Sequence, residues 1–318
     1  MWKPAFVACA IVATLGSAVA QYYSDATLAA KNPKALENLQ YTVSDQLLKA
    51  ASPEVQAKLR DVRVVTPLRS PDPNYPMNFY ADAAGKQIIV PLQGFKFFSD
   101  LTILWAWFDR RSNCDKRGLA AYLAAVMTGS REANELGAPF DAFGLTESDA
   151  LRDPVVDRVS LRNFNTGMNF VLAHELGHIY YGDGLPGQTG TSIEREKRAD
   201  RFALDLMAVA HIAPVGLIEF FSATRFNDQE LLAAAGGTHP LSHLRLIAIG
   251  DRLKQSPESF LPTPFPPDKD FATERTRMIR VADGVTAIAA ELQDETFARN
   301  LIKLVQEYPP SVLRTACR

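Results

Sequence analysis

Apolar residues recur at helical spacing along most of the chain. Tyr22 to Arg60 is helix-rich and punctuated by Pro33 and Pro53, and Ser52-Pro53-Glu54 has the form of a helix start with proline in its first turn. The apolar, aromatic run Phe95 to Phe108 predicts a helix from Ser99 onward, and the alanine- and leucine-rich run Gly118 to Met127 predicts another. Asn165 to Tyr181 predicts a helix that Gly182-Asp183-Gly184 halts. Thr191-Ser192-Ile193-Glu194 is a capping box and opens a helix running to about Val209. Further helices are expected at Pro214 to Thr224, Pro240 to Lys254 and Phe271 to Tyr308. Between them, Arg69 to Pro76 holds three prolines and reads as loop. Ser130 to Pro154 is polar and loop-like, and Ser256 to Lys269, with five prolines, reads as a linker or wrapped arm.

One stretch reads as strands. Asn78-Phe79-Tyr80-Ala81 and Gln87 to Leu92 flank a turn at Ala84-Gly85 and predict a hairpin. Pro91 makes the second strand an edge, or ends it, because proline cannot donate to a ladder. The expected fold is therefore α+β, mostly helical, with a small sheet.

Composition narrows the class. The chain has 318 residues, 47% hydrophobic and 22% charged, enough for a full globular core. A net charge of -2 gives no case for a nucleic-acid or anionic-membrane partner. Met1-Trp2-Lys3, the apolar run Pro4 to Gly16 and Ala18-Val19-Ala20 form a secretory leader ending before Gln21. Loss of Lys3 with that leader takes the charge from -2 to -3. The apolar run is short for a membrane span, so the expected product has no stable span and is exported, periplasmic or secreted. Export leaves Cys114 and Cys317 as either one disulfide or two thiols. The expected division is a leader at 1–20, a catalytic domain at 21–255, and a proline-rich arm with C-terminal helices packed on it at 256–318.

Chemistry concentrates at His174-Glu175-Leu176-Gly177-His178. Two histidines four apart share a helix face and can grip one metal ion. Glu175 stands beside them as a general base for a water molecule. Eighteen residues past His178 comes Glu196, with Asp200 one turn further on. A glutamate can complete a two-histidine zinc site, and an aspartate on the same face can orient a ligand imidazole. Glu194 competes for the ligand role, but the capping box already uses it and Arg198 stands where its aspartate partner would be. Tyr180 and Tyr181 read as packing aromatics at the helix end, and His211 and His243 as surface or helix-terminal residues.

With that pairing the sequence resembles a gluzincin metallopeptidase, and more narrowly the HtpX and CAAX-prenyl-endopeptidase group in a soluble, exported form. The resemblance is carried by the His-Glu-x-x-His sequence, by Glu196 to Ala208, by Thr238-His239-Pro240 with Arg245, and by the hairpin ending at Gln87 to Leu92. It implies a zincin-like domain with the sheet beside the metal helix, and zinc on His174, His178 and Glu196 with Asp200 behind them. It also implies that His239 faces the site and stabilises the oxyanion, although a histidine before Pro240 can equally be a helix cap. Arg245 is expected to tie down its loop. The expected activity is cleavage of protein or peptide substrates, the peptide adding to the edge strand near Gln87 to Leu92. Two other classes remain open: a catalytically silent, zinc-stabilised binding or chaperone-like protein, and a zinc hydrolase of a non-peptide amide.

Overall fold

The structure, a computed structural model, describes residues 22–70, 76–127, 133–187, 190–226, 241–294 and 296–317. The leader and the Thr238-His239-Pro240 segment lie outside the described residues. The fold is mostly helical with one three-stranded sheet. No described helix is long and apolar enough to cross a membrane.

Two long helices form the spine. Helix α3 (Leu92–Arg110) is the more buried, and it packs along α8 (Pro154–Tyr181), the helix of the His-Glu-x-x-His sequence. Their contact is aromatic: Phe95 and Phe98 meet Phe164, and Phe98 fills the space that a side chain at Gly167 would need. Both helices begin earlier than the apolar runs suggest. Proline and aspartate explain α8: Asp153 accepts from the Val155 amide and Pro154 occupies the first turn. The polar stretch before it is not plain loop, because it holds the short helices α5 (Ala133–Leu136), α6 (Pro139–Ala142) and α7 (Glu147–Leu151).

Helix α1 (Asp25–Tyr41), α2 (Pro53–Leu59) and α4 (Lys116–Met127) surround this spine. The sheet is mixed, in the order β1 (Arg63–Val65), β3 (Gln87–Ile89), β2 (Tyr80–Asp82). Strand β3 runs antiparallel to β2, with Asp82 opposite Gln87, so the hairpin is present. It also runs parallel to β1, with Arg63 opposite Gln87. That corrects one expectation: the Gln87 strand is central and has no edge to offer, because the short Val62-Arg63-Val64-Val65 run supplies a third strand. Strand β2 is an edge, and it packs against α8.

Helix α9 (Ser192–Val209) lies on α8. The capping box that opens it is complete, with Thr191 and Glu194 bonded reciprocally. Helix α10 (Leu217–Thr224) also packs on α8, and α11 (His243–Gln255) lies against α9. The proline-rich arm is pinned by Phe260, which is fully buried, and returns the chain to α12 (Phe271–Gln293). That helix backs α11 so closely that a Cβ on Gly250 would meet Thr286 Oγ1 at 2.5 Å. The end of the chain, α13 (Phe297–Glu307) and α14 (Pro310–Leu313), returns to α4. There Cys114 and Cys317 form a disulfide, and the Asp115 amide donates to the Ala316 carbonyl at 2.7 Å. In the chain-entropy picture, closing a loop of 203 residues stabilises the fold by about 5 kcal/mol.

Candidate metal centre

The site is built where α8 and α9 cross. Gly177, between the two histidines, permits the close approach: a Cβ there would sit 3.1 Å from the Ala199 Cα. With no side chain in the way, Glu196 and Asp200 on α9 reach His174 and His178 on α8. All four, with Glu175 and Arg245, are at most 6% exposed.

His174, His178 and Glu196 converge, with ligand atoms within 4.8 Å of one another. The two Nε2 atoms are 3.0 Å apart. Glu196 Oε2 is 3.3 Å from His174 Nε2, and its Oε1 is 3.2 Å from His178 Nε2. Bonds of about 2.0–2.1 Å at tetrahedral angles would place donors roughly 3.3 Å apart, so these separations suit zinc. The remaining nitrogens point outward. His174 Nδ1 is 2.9 Å from Asp200 Oδ1, and His178 Nδ1 is 2.8 Å from Asp183 Oδ2. Both rings are thus turned with Nε2 inward, the orientation that a carboxylate behind each ligand histidine imposes.

Those carboxylates are themselves held. Arg245, from the first turn of α11, lies with Nη1 at 2.8 Å from Glu196 Oε2. Its Nε and Nη2 donate to the two oxygens of Asp200, each at 2.8 Å. Arg198 donates to Asp183 and lies over the Tyr181 ring at 4.3 Å. Four carboxylates (Glu175, Asp183, Glu196, Asp200) therefore meet two guanidinium groups. With neutral imidazoles the cluster carries two surplus negative charges, matching a divalent cation.

Without a cation the histidines answer that surplus. Burial disfavours protonated His178, yet its hydrogen bonds to Asp183 and Glu196 and the nearby Glu175 charge raise its pKa to about 10. His174 moves the same way: burial lowers it, and Asp200 and Glu196 more than reverse that. Burial pushes the Asp200 carboxyl up, but Arg245 and His174 hold it below the usual carboxylate range. Protons on the imidazoles and a metal ion are alternative ways to cancel one field, so a metal bound here would displace protons.

Two residues of this centre escaped the sequence reading. Asp183 was legible only as a helix stop. In the structure Gly182 takes the left-handed conformation, φ 70°, and the Asp183 amide donates to the His178 carbonyl at 2.9 Å. That turn folds the aspartate back over the last helical turn and onto the His178 ring. Arg245, expected to tie down a loop, instead bridges Glu196 and Asp200 inside the site. Its signal in the sequence was only its place after His239-Pro240. Glu194 is spent in the capping box, accepting from the Thr191 amide at 2.7 Å. Tyr180 and Tyr181 pack with Phe202, and Tyr180 donates to Glu54 at 2.9 Å. His211 is exposed just beyond α9, and His243 opens α11. His239 cannot be placed, since it falls outside the described residues. No family model matches the chain, and no curated protein or solved structure is significantly similar to it.

Proposed function

We propose that this chain is a zinc-dependent endopeptidase, with a zincin-like catalytic domain centred on α8 and α9, acting outside the cytoplasm on protein or peptide substrates. The observation that carries the reading is the convergence of His174, His178 and Glu196 at zinc-like spacing, with buried Glu175 beside them. His174, His178 and Glu196 would hold the metal. Bound zinc would supply a Lewis acid for a carbonyl and an acidified water. Glu175 takes a proton from the attacking water and passes it to the leaving amine. Asp200 and Asp183 keep the imidazoles turned inward, and Arg245 fixes Glu196 and Asp200 relative to each other. An extended substrate adds its backbone to β2, the edge that packs on α8, in place of the Gln87 strand. His239 as oxyanion donor belongs to this proposal through the resemblance alone. Export is supported by the leader-like first twenty residues and by the Cys114–Cys317 bond.

The experiment is cleavage of casein and of a mixed peptide library by purified protein. It is run as isolated, after chelation, and after chelation with zinc restored. Chelator-sensitive cleavage that zinc restores is the expected result. Stoichiometric zinc with no cleavage of any peptide overturns the peptidase reading in favour of a metal-stabilised binding protein. Hydrolysis confined to small non-peptide amides moves it to the third class.

A further inference from the structure

A second site lies on another face of α8. Arg162, Thr166 and Asn169 recur at spacings of four and three, so they form one stripe. At about 100° per residue that stripe is turned roughly 120–160° from His174 and His178. It forms one wall of a cavity of about 600 Å³, well within the size range of small-molecule sites. The rest of its lining comes from the segment after α9, the proline-rich arm and the start of α12, and includes the apolar Ile212, Val215, Phe260, Leu261 and Phe265.

The charges around this cavity are unequal. Arg162, Lys269 and Arg277 face it, against Asp45 and Glu274. Both Glu274 oxygens are already bonded to Arg277, at 2.6 and 2.8 Å, and Asp45 accepts from Ser44 at 2.6 Å. Arg162 uses its Nε on Asn163 Oδ1 at 3.1 Å, and no carboxylate among the described residues pairs with its Nη end or with Lys269. Partial burial lowers the Arg162 pKa, as do the like charges of Arg277 and Arg158, while Glu219 and Glu274 pull it up. Among the residues lining the cavity the surplus is one positive charge, beside apolar side chains.

We propose that this cavity binds a small amphiphilic monoanion: one carboxylate held by Arg162 and Lys269, with an apolar body lying on Phe260, Leu261 and Phe265. A guanidinium fork suits a carboxylate, and an uncharged amide cannot replace it. The site is separate from the metal centre and does not depend on the proposed peptidase reading.

The test is calorimetric titration of the whole protein with decanoate and decanamide, and with N-acetyl-leucyl-leucine and its C-terminal amide. Saturable one-to-one binding of at least one carboxylate is expected, weakened roughly tenfold or more for its amide. The Arg162→Gln, Lys269→Gln double variant should lose affinity by a similar factor. Decanoate as the better ligand identifies an aliphatic acid, and the dipeptide a polypeptide C-terminus. Because carboxylates also bind zinc, the titrations are repeated after chelation and should be unchanged. No saturable binding, equal affinity for acid and amide, unchanged binding by the double variant, or binding that disappears with the metal each overturns the proposal. Both substituted side chains are on the surface, so the melting temperature of the variant confirms that the fold is intact.

Discussion

Two buried clusters of charge sit on the two spine helices, and they resolve the same problem differently. On α3, Lys96 is bonded to Asp100 and, at 3.0 Å, to Glu147, while Tyr23 donates to Asp100 at 2.7 Å. One ammonium lies among two carboxylates, so one negative charge is left over. Burial pushes the Asp100 carboxyl up to about 6, against the pull of Lys96, so a single proton completes the balance. On α8 and α9 the surplus is two charges, and the donor atoms do not surround a lysine. They converge on one another, with the ligand atoms of His174, His178 and Glu196 within 4.8 Å. A cluster whose cation is part of the chain is structural. On the proposed reading the second cluster takes its cation from outside, and that contrast separates the two more sharply than burial or residue type.

The largest expected effect falls on Glu175, buried beside the two histidines. On the proposed reading, Glu175→Gln should lower kcat by roughly 10²- to 10⁴-fold while zinc content stays at one per chain. Peptide-cleavage kinetics with metal analysis check this; full activity with zinc bound would sink the general-base role. Next in size is the loss of each cluster's internal cation. Arg245→Met leaves Glu196 and Asp200 charged and buried, and should destabilise the chelated protein by about 3–5 kcal/mol. Lys96→Met should cost clearly less at pH 5, where Asp100 can take a proton and Glu147 is partly exposed. Urea unfolding of both variants at that pH measures the difference, and equal losses would erase the distinction drawn between the clusters.

The pH dependence of the α3 cluster sharpens the same comparison. The folded pKa of Asp100, about 6, is above its unfolded value near 3.8. Its contribution is therefore fully favourable below pH 4 and is lost as pH rises through 6. A shift of about two units corresponds to about 3 kcal/mol at most. Asp100→Asn removes this titration, so the stability difference between variant and wild type should change between pH 4 and 6 and be flat above 7. A difference that is constant across the whole range would mean that Asp100 stays ionised in the fold.

Much of this was legible in the chain, and the gaps have physical causes. The capping box at Thr191, the stop at Gly182 and the four-residue spacing of the histidines are local rules, and the helices follow them. The early start of α8 is also written locally, in Asp153-Pro154, but the eleven residues before Asn165 are mixed in polarity and hide it. Strand β1 has only three residues and makes sense only once β3 is beside it, which no periodicity over so short a run reveals. The same limit applies to Arg245. Its contacts join residues 45 or more positions apart, and only the packing of α11 on α9 brings them together.

Asp183 gives the smallest and most selective effect. It touches His178 through one oxygen while Arg198 holds the other, so its charge and its geometry can be separated. Asp183→Asn can keep a hydrogen bond to Nδ1 and lose the charge, whereas Asp183→Ala loses both. If the aspartate acts by orienting the ring and strengthening it as a ligand, Ala should weaken zinc affinity by about 10- to 100-fold and Asn by less. A competition titration against a coloured chelator reads this directly, and the melting temperature of the chelated protein separates it from a folding defect. If both variants bind zinc as the wild type does, Asp183 is only the helix stop that the sequence suggested. In that case the second carboxylate behind the histidines, Asp200, carries the orientation of the site alone.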